Sequence, residues 1–194
     1  LMRYTPIMRL FLAGVMVLGA VALGPSLNAT VIVPAEFREV VSGSDLIAYG
    51  RVVEVRPQWA DGRRRIDSVV TADVLSWFKG GSDRTVSFVV PGGEIGRYRQ
   101  VTVGAPSFAA GEEVFLFLKT QGSPIPYVFG LNQGVFRVKT DDRGARKVTT
   151  PALLAVGSEP ETIRRGAVSR RPMPVDDFTS QIRAVIADGR GAVR

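Results

Sequence analysis

The chain has 194 residues, and its 25 lysines and arginines outnumber 18 aspartates and glutamates, which gives a formal net charge of +7. It contains no cysteine and no histidine. Disulfides, thiolate nucleophiles, structural zinc sites and Ser-His-Asp triads are therefore excluded, and we expect no cofactor and no bound metal. Without disulfides, the protein must be stabilised by a buried apolar core.

Residues 1–29 have the pattern of an export signal. Two arginines precede an apolar run, LFLAGVMVLGAVALG, and Pro25 and the small residue Ala29 follow it. We predict cleavage after Ala29 by the general secretory route, with Ala20 and Ala22 as alternative sites. An uncleaved anchor is the other interpretation, but the run is shorter than the roughly 20 residues that span a bilayer. The expected location is periplasmic or extracellular, with no membrane span after cleavage.

Residues 30–149 are predicted to form a mainly β domain that opens with a short helix over 34–41. Phe37, Val40 and Val41 have helical spacing there, and Pro34 suits a first turn. Runs rich in β-branched and aromatic residues then predict strands, and Gly50 in the first of them marks a bulge or a tight bend. The predicted strands cover 46–55, 66–78, 85–90, 99–103, 113–119, 127–131, 135–140 and 147–149, with a loop over 56–65.

Alternation along these strands also predicts which side chains form the core. The predicted core includes Ile47, Val53, Val69, Leu75, Phe88, Val90, Phe115, Phe117, Val128 and Phe136. The first three strands follow one another through short turns, which predicts a meander.

Residues 150–194 are predicted to be a basic linker followed by an amphipathic helix. The basic excess of this region suggests contact with anionic envelope polymers or phospholipid head groups, and a solvated tail is the alternative. The helix is predicted over 175–187, with Gly189 as its end. Its apolar face consists of Val175, Phe178, Ile182, Val185 and Ile186. We expect this face to dock on the β domain, and capture of a partner is the alternative.

Five segments in this order carry a resemblance to a known family: DLIAYGRVVEV, WFKGG, TVSFVVPGG, FAAGEEVFLFL and YVFGLNQGVFRV. Over residues 44–138 the chain resembles uncharacterised bacterial exported proteins whose domain is similar to the netrin-like or TIMP-like variety of OB-fold. The resemblance implies a small OB-like Greek-key barrel of five strands with flanking amino- and carboxyl-terminal helices. Netrin-like protease inhibitors ligate the target's zinc through an amino-terminal cysteine, so this activity does not transfer to a cysteine-free chain.

Two loops, predicted to lie at one end of the barrel, carry the candidate binding residues. The first combines an aromatic ring with three cations, which suits a sugar, a phosphate or a polyanion. The second is the glycine-rich segment 91–106. The candidate binding residues are Trp59, Arg63, Arg64, Arg65, Gly92, Gly93 and Tyr98. A solvated hairpin tip and a glycine turn are the plainer interpretations of the two loops.

Three other motifs favour structural interpretations. The segment PGGEIG resembles a phosphate-binding loop, but no helix pattern follows it to supply amide donors. Asp141 and Asp142 are typical of a hairpin turn and lack the spacing of a calcium loop. Glu112 and Glu113 are adjacent on a strand, so they point to opposite faces and do not form an acid and base pair.

The residues therefore favour a non-enzymatic binding or adaptor module of the cell envelope. Its expected partner is an envelope protein or an anionic polymer, contacted through the barrel-end loops. OB barrels commonly bind oligonucleotides or sugars, but export makes nucleic acid an unexpected partner. The alternative is a hydrolase of envelope polymers that uses scattered carboxylates or a pair such as Ser107 and Lys119, which no sequence spacing supports.

Overall fold

The computed structural model describes residues 35–123, 125–149 and 172–191. The predicted export signal, Pro34 and residues 150–171 of the predicted linker lie outside these residues. The helices and strands within them are α1 (Phe37–Gly43), β1 (Leu46–Ala60), β2 (Arg65–Lys79), β3 (Thr85–Pro91), β4 (Gly93–Ile95), β5 (Tyr98–Gln100), β6 (Glu113–Lys119), β7 (Tyr127–Val128), β8 (Val135–Thr140), β9 (Arg146–Thr149), β10 (Met173–Pro174) and α2 (Val175–Gly191). None of the described helices is long and apolar enough to cross a bilayer.

The architecture is mainly β, with two helices that flank an eight-stranded sheet. β1, β2 and β3 form the predicted antiparallel meander. β3 then pairs in parallel with β7, β7 pairs with β6, and β6 pairs with β1. These pairings therefore lead from β1 through β2, β3, β7 and β6 back to β1. β8 also pairs with β6, and β9 and β10 extend the sheet from β8.

The hairpin of β1 and β2 is longer than predicted. Its pairing continues to Trp59 opposite Ile66 and Ala60 opposite Arg65, so the connecting turn has only residues 61–64. The predicted loop over 56–65 is therefore wrong, and Trp59 lies in a strand. Cross-strand hydrogen bonds satisfy the peptide groups of this extension, so it remains extended without the apolar composition on which the prediction depended.

One apolar core lies among β1, β2, β3, β6, β7 and β8. Its buried side chains are Val52, Val70, Ala72, Val86, Phe88, Val90, Val114, Leu116, Leu118, Val128 and Val135. Successive strand residues face opposite sides, so the even-numbered side chains of β6 enter this core. The helices contribute no side chain to the buried residues of this core.

A second core lies between the opposite face of the sheet and the two helices. Phe115 and Phe117 of β6 enter it, together with Phe178 and Ile182 of α2, and all four are buried. β6 is therefore buried on both faces. The ring centroid of Phe178 lies 4.9 Å from those of Phe115 and Phe136. Both cores are formed within residues 35–191, which belong to one compact unit, Pro34–Arg194.

The carboxyl-terminal helix docks on its own sheet, as predicted. Phe178 and Ile182 are buried, and the other three residues of the predicted face are half-buried against the second core. The predicted end at Gly189 is wrong, because the helix continues to Gly191. Gly189 is exposed and costs only about 1 kcal/mol of helix propensity, which the docked face offsets.

Two predicted core residues are not buried. Val53 is 44% exposed and Leu75 is 54% exposed, whereas the other eight predicted core side chains are buried. Val53 is the extra residue of a bulge between Val52 and Glu54, and Leu75 is the extra residue opposite the register shift at Gly50. An extra residue reverses the alternation of side chains between the two faces of the sheet. A prediction from alternation alone assumes a strand without extra residues. The pairing is irregular at Gly50, as predicted, but the extra residue lies on β2 rather than on β1.

Some element boundaries also differ from the prediction. α1 covers Phe37–Gly43 rather than 34–41, and the backbone N–H of Glu36 donates a 2.9 Å hydrogen bond to Oε2 of Glu39 at its start. This local hydrogen bond determines where the helix begins, and the spacing of apolar residues contains no information about it. The strands predicted over 99–103 and 127–131 are shorter, and cover Tyr98–Gln100 and Tyr127–Val128.

Candidate functional site

Two aromatic rings from separate hairpins meet on the surface. Trp59 lies near the end of β1 and Tyr98 begins β5, and their ring centroids are 5.5 Å apart in an edge-to-face arrangement. The hairpin of β4 and β5 is held on β2 because Oε1 of Gln100 accepts a 2.8 Å hydrogen bond from the backbone N–H of Ile66. The tertiary structure thus brings together two predicted binding residues that are far apart in sequence.

Two exposed guanidinium groups lie against this pair of rings. Cζ of Arg63 is 6.0 Å from the ring centroid of Trp59, and Cζ of Arg97 is 5.1 Å from that of Tyr98. Both distances allow cation–π attraction. Within the described ranges neither arginine forms an ion pair. We call Trp59, Arg63, Arg97 and Tyr98 the ring-arginine surface.

The turn between β1 and β2 places Arg63 over the tryptophan. Asp61, Gly62 and Arg63 have φ angles of 50°, 61° and 71°, and the N–H of Arg64 donates a 3.1 Å hydrogen bond to the carbonyl oxygen of Ala60. For a residue that has a side chain, the left-handed backbone conformation is less stable than the right-handed one by about 1 kcal/mol or more. The pairing of β1 with β2 offsets the free energy that these left-handed residues cost, so the turn keeps this conformation.

The two other predicted arginines do not join the rings. Nε and Nη2 of Arg65 donate hydrogen bonds to Asp67, the shortest of 2.8 Å, and Nη1 lies 3.0 Å from Asp61. The hydrogen bonds and charge of Asp67, with the charge of Asp61, raise the pKa of Arg65. Its charge is thus compensated within the hairpin, and the prediction that it is a free binding cation is not supported. Arg64 is exposed at the turn.

A cleft of about 490 Å³ lies next to β4 and β5, and the four residues of the ring-arginine surface do not line it. Gly92 and Gly93 line it, as do Arg99, Gln100 and the ring of Phe108. A Cβ atom on Gly93 would lie 2.7 Å from Oγ of Ser68, so this glycine lets β4 approach β2 closely. Gly93 begins β4, and the next described element after it is the strand β5 rather than a helix, so the segment is not a phosphate-binding loop at a helix amino terminus.

The sequence prediction did not single out Val101 and Val103, which follow β5. They are 71% and 74% exposed, the highest values among the exposed large apolar side chains of the described residues. The N–H of Ala105 donates a 3.1 Å hydrogen bond to the carbonyl oxygen of Thr102, which closes a β-turn with Val103 at its corner. Gly104 has φ of 84°, which suits the third position of a type II turn. The alternating apolar residues of QVTV could have indicated this feature.

A second polar cluster joins β1, β6 and β9. The hydroxyl of Tyr49 donates a 2.6 Å hydrogen bond to Oε2 of Glu113, Nη2 of Arg51 donates one of 2.6 Å to Oε1, and Arg146 contacts both Tyr49 and Glu113. Burial, followed by the hydrogen bond to Glu113, raises the pKa of Tyr49 to about 12. The hydrogen bonds from Tyr49 and Arg51 lower the pKa of Glu113. Both carboxylate oxygens have partners, so we assign this cluster a structural role.

The remaining acidic candidates also have structural partners. Glu112 lies 3.6 Å from Nε of Arg137 rather than beside the partners of Glu113, so the two adjacent glutamates do not act on one site. Oδ1 of Asp141 accepts hydrogen bonds from the backbone N–H groups of Arg143 and Ala145, which confirms the predicted turn. In the part of the chain that the structure describes, no three acidic residues come together as metal ligands.

Compared with protein-family models, curated proteins and solved structures, the chain matches none of them. The interpretation of the site therefore depends on its own residues.

Proposed function

We propose that this protein is an exported, non-enzymatic binding module of the cell envelope, built on an OB-like Greek-key barrel. The strand order supports the barrel, because the pairings return from β6 to β1 and include the parallel pair of β3 and β7. The position of the second core supports two helices packed outside such a barrel.

The partner that we propose is an anionic component of the envelope, with phosphate, sulfate or carboxylate groups. The observation that carries this proposal is the ring-arginine surface, in which Arg63 and Arg97 are held on aromatic faces and have no acidic partner in the described segments. Guanidinium groups match the geometry of phosphate, sulfate and carboxylate groups, and exposed aromatic rings stack on flat faces such as sugar rings. An anionic polymer with sugar or phosphate units offers both kinds of contact.

The geometry also favours a binding surface rather than an enzyme site. The rings and guanidinium groups supply attraction but no group that gives up or accepts a proton near neutral pH. The neighbouring Asp61 and Asp67 bind Arg65, so their carboxylates are already engaged. A hydrolase would need convergent acid and base groups at this surface.

The test is binding to dextran sulfate, with neutral dextran as the uncharged comparison. The protein would begin at Thr30, and calorimetric titration would give the dissociation constant at low and at physiological salt. We expect binding to dextran sulfate only, weakening as salt rises. The Arg63→Ala/Arg97→Ala double variant should bind about tenfold more weakly, since each charged contact contributes about 1 kcal/mol or more.

The matched control is the Arg84→Ala/Arg143→Ala double variant. Both residues are exposed, neither has an ion pair in the described ranges, and the variant loses the same net charge. It should retain the wild-type affinity. Equal weakening in the two double variants would show that only net charge attracts the polymer, and the proposed site would be wrong.

A further inference from the structure

An apolar tip extends the ring-arginine surface along the chain. Val101 and Val103 are 71% and 74% exposed, and Tyr98 is 50% exposed. Val101 and Arg99 line the same cleft, and both valines follow Arg97, Tyr98 and Arg99 closely in sequence. We call Val101 and Val103 the valine tip.

The conformation of this tip presents its apolar side chains to the outside. Val103 stands at the corner of the turn that the hydrogen bond between Ala105 and Thr102 closes. Gly104 supplies the positive φ that the turn requires, so the corner does not depend on packing of Val103. Two large apolar side chains that are 71% and 74% exposed are available for contact with an apolar surface.

The charges around the tip indicate what this surface contacts. Over residues 59–67 and 93–103, five arginines and three acidic residues give a local charge of +2. Two of the acids, Asp61 and Asp67, bind Arg65. Four arginines therefore remain in these two ranges against Glu94, which lies opposite Arg99 in the hairpin.

Exposed apolar side chains, aromatic rings and arginines in neighbouring hairpins are the three kinds of group that the layers of a membrane surface bind. Short apolar side chains enter the boundary between head groups and acyl chains, aromatic rings lie at the head-group level, and arginines contact lipid phosphates. A soluble anionic polymer would use the rings and the arginines but would gain nothing from exposed valines. The exposed valines therefore favour a bilayer over a polymer as the source of the anionic groups.

We infer that the anionic partner is a bilayer rich in anionic phospholipid, and that the valine tip enters its interface while the ring-arginine surface binds the head groups. This inference depends on the proposed function, because both use the same arginines. The protein docks on the membrane from one side through a hairpin and a turn.

The test is binding of the protein that begins at Thr30 to vesicles of phosphatidylcholine and phosphatidylglycerol in a two-to-one ratio, with vesicles of phosphatidylcholine alone for comparison. The Val101→Ser/Val103→Ser double variant should bind the anionic vesicles about tenfold more weakly, because two apolar side chains no longer leave water. Its binding to dextran sulfate should equal that of the wild type.

The matched control is the Val53→Ser/Leu75→Ser double variant. These residues are also exposed large apolar side chains, and they lie on the bulges of β1 and β2 rather than at the tip. This variant should bind the anionic vesicles like the wild type. Urea unfolding of both variants would confirm that each one remains folded at the assay temperature.

Fluorescence supplies a second readout of the contact. The chain has two tryptophans, so Trp77→Phe leaves Trp59 as the only one. Brominated phosphatidylcholine in the anionic vesicles should quench Trp59 in this background, and the additional serine substitutions at the tip should reduce the quenching. Quenching that is unchanged by these substitutions would contradict insertion of the tip.

The outcomes separate the two proposals. Wild-type vesicle affinity in the tip variant would overturn the bilayer inference, and retained binding to dextran sulfate would leave the proposed function standing. Equal loss of vesicle and dextran sulfate binding in the tip variant would also overturn the inference, since the tip would then belong to a polymer site. Failure of the wild type to bind either probe would overturn both proposals.

Discussion

Replacement of Phe178 by alanine tests whether the carboxyl-terminal helix is an integral part of the folded unit. Phe178 is 3% exposed, and its ring centroid lies 4.9 Å from those of Phe115 and Phe136 and 5.3 Å from that of Phe37. Removing a phenylalanine side chain from such a site costs about 3 to 5 kcal/mol, because apolar contacts are lost and a cavity remains. We expect Phe178→Ala to lower the free energy of unfolding by this amount.

Urea unfolding, followed by circular dichroism, would measure the change on the protein that begins at Thr30. A thermal scan should show a melting temperature lower by roughly 6 to 20 °C. Gln181→Ala, on an exposed part of the same helix, is the control and should change the free energy of unfolding by less than about 0.5 kcal/mol. A loss below about 1 kcal/mol for Phe178→Ala would mean that this helix does not stabilise the domain, and the second core would be refuted.

Three further predictions follow from burial and from the polar cluster. Phe117→Ala should cost about 3 to 5 kcal/mol and Leu75→Ala less than about 0.5 kcal/mol in the same urea assay, because only the first side chain is buried. Since the pKa of Tyr49 is raised from 10.0 to about 12, its contribution to stability is complete below pH 10 and is lost as the pH rises towards 12. Tyr49→Phe should therefore reduce the loss of stability over that range, and an identical pH profile for the variant would contradict the raised pKa. Because the pKa of Glu113 is lowered, its contribution is present above the unfolded value of about 4.3 and is lost as the pH falls through the folded value. Glu113→Gln should reduce the acid-induced loss of stability between these two values.

The amino-acid sequence by itself determined most of the local structure. The strand β6 was predicted with the observed bounds, because an unbroken apolar run between a glycine turn and polar residues is typical of a strand buried on both faces. The amphipathic face of α2 was likewise predicted from its spacing, and the absence of cysteine and histidine excluded whole classes of chemistry. These features depend on residue type and on short periods, which are present in the chain before it folds.

Only the tertiary structure decided the candidate site. Trp59 and Tyr98 were predicted on separate segments, and their contact results from the way the β4–β5 hairpin packs on β2. Arg65 is compensated locally by Asp67, two residues along the same strand, whereas Arg63 and Arg97 lie against the rings with their charges exposed. Likewise, Val53 and Leu75 are exposed because bulges change the facing of single residues, and a bulge is a property of two paired strands rather than of either one. Contacts between distant segments and shifts of register arise from non-local pairing, so a short sequence window cannot contain them.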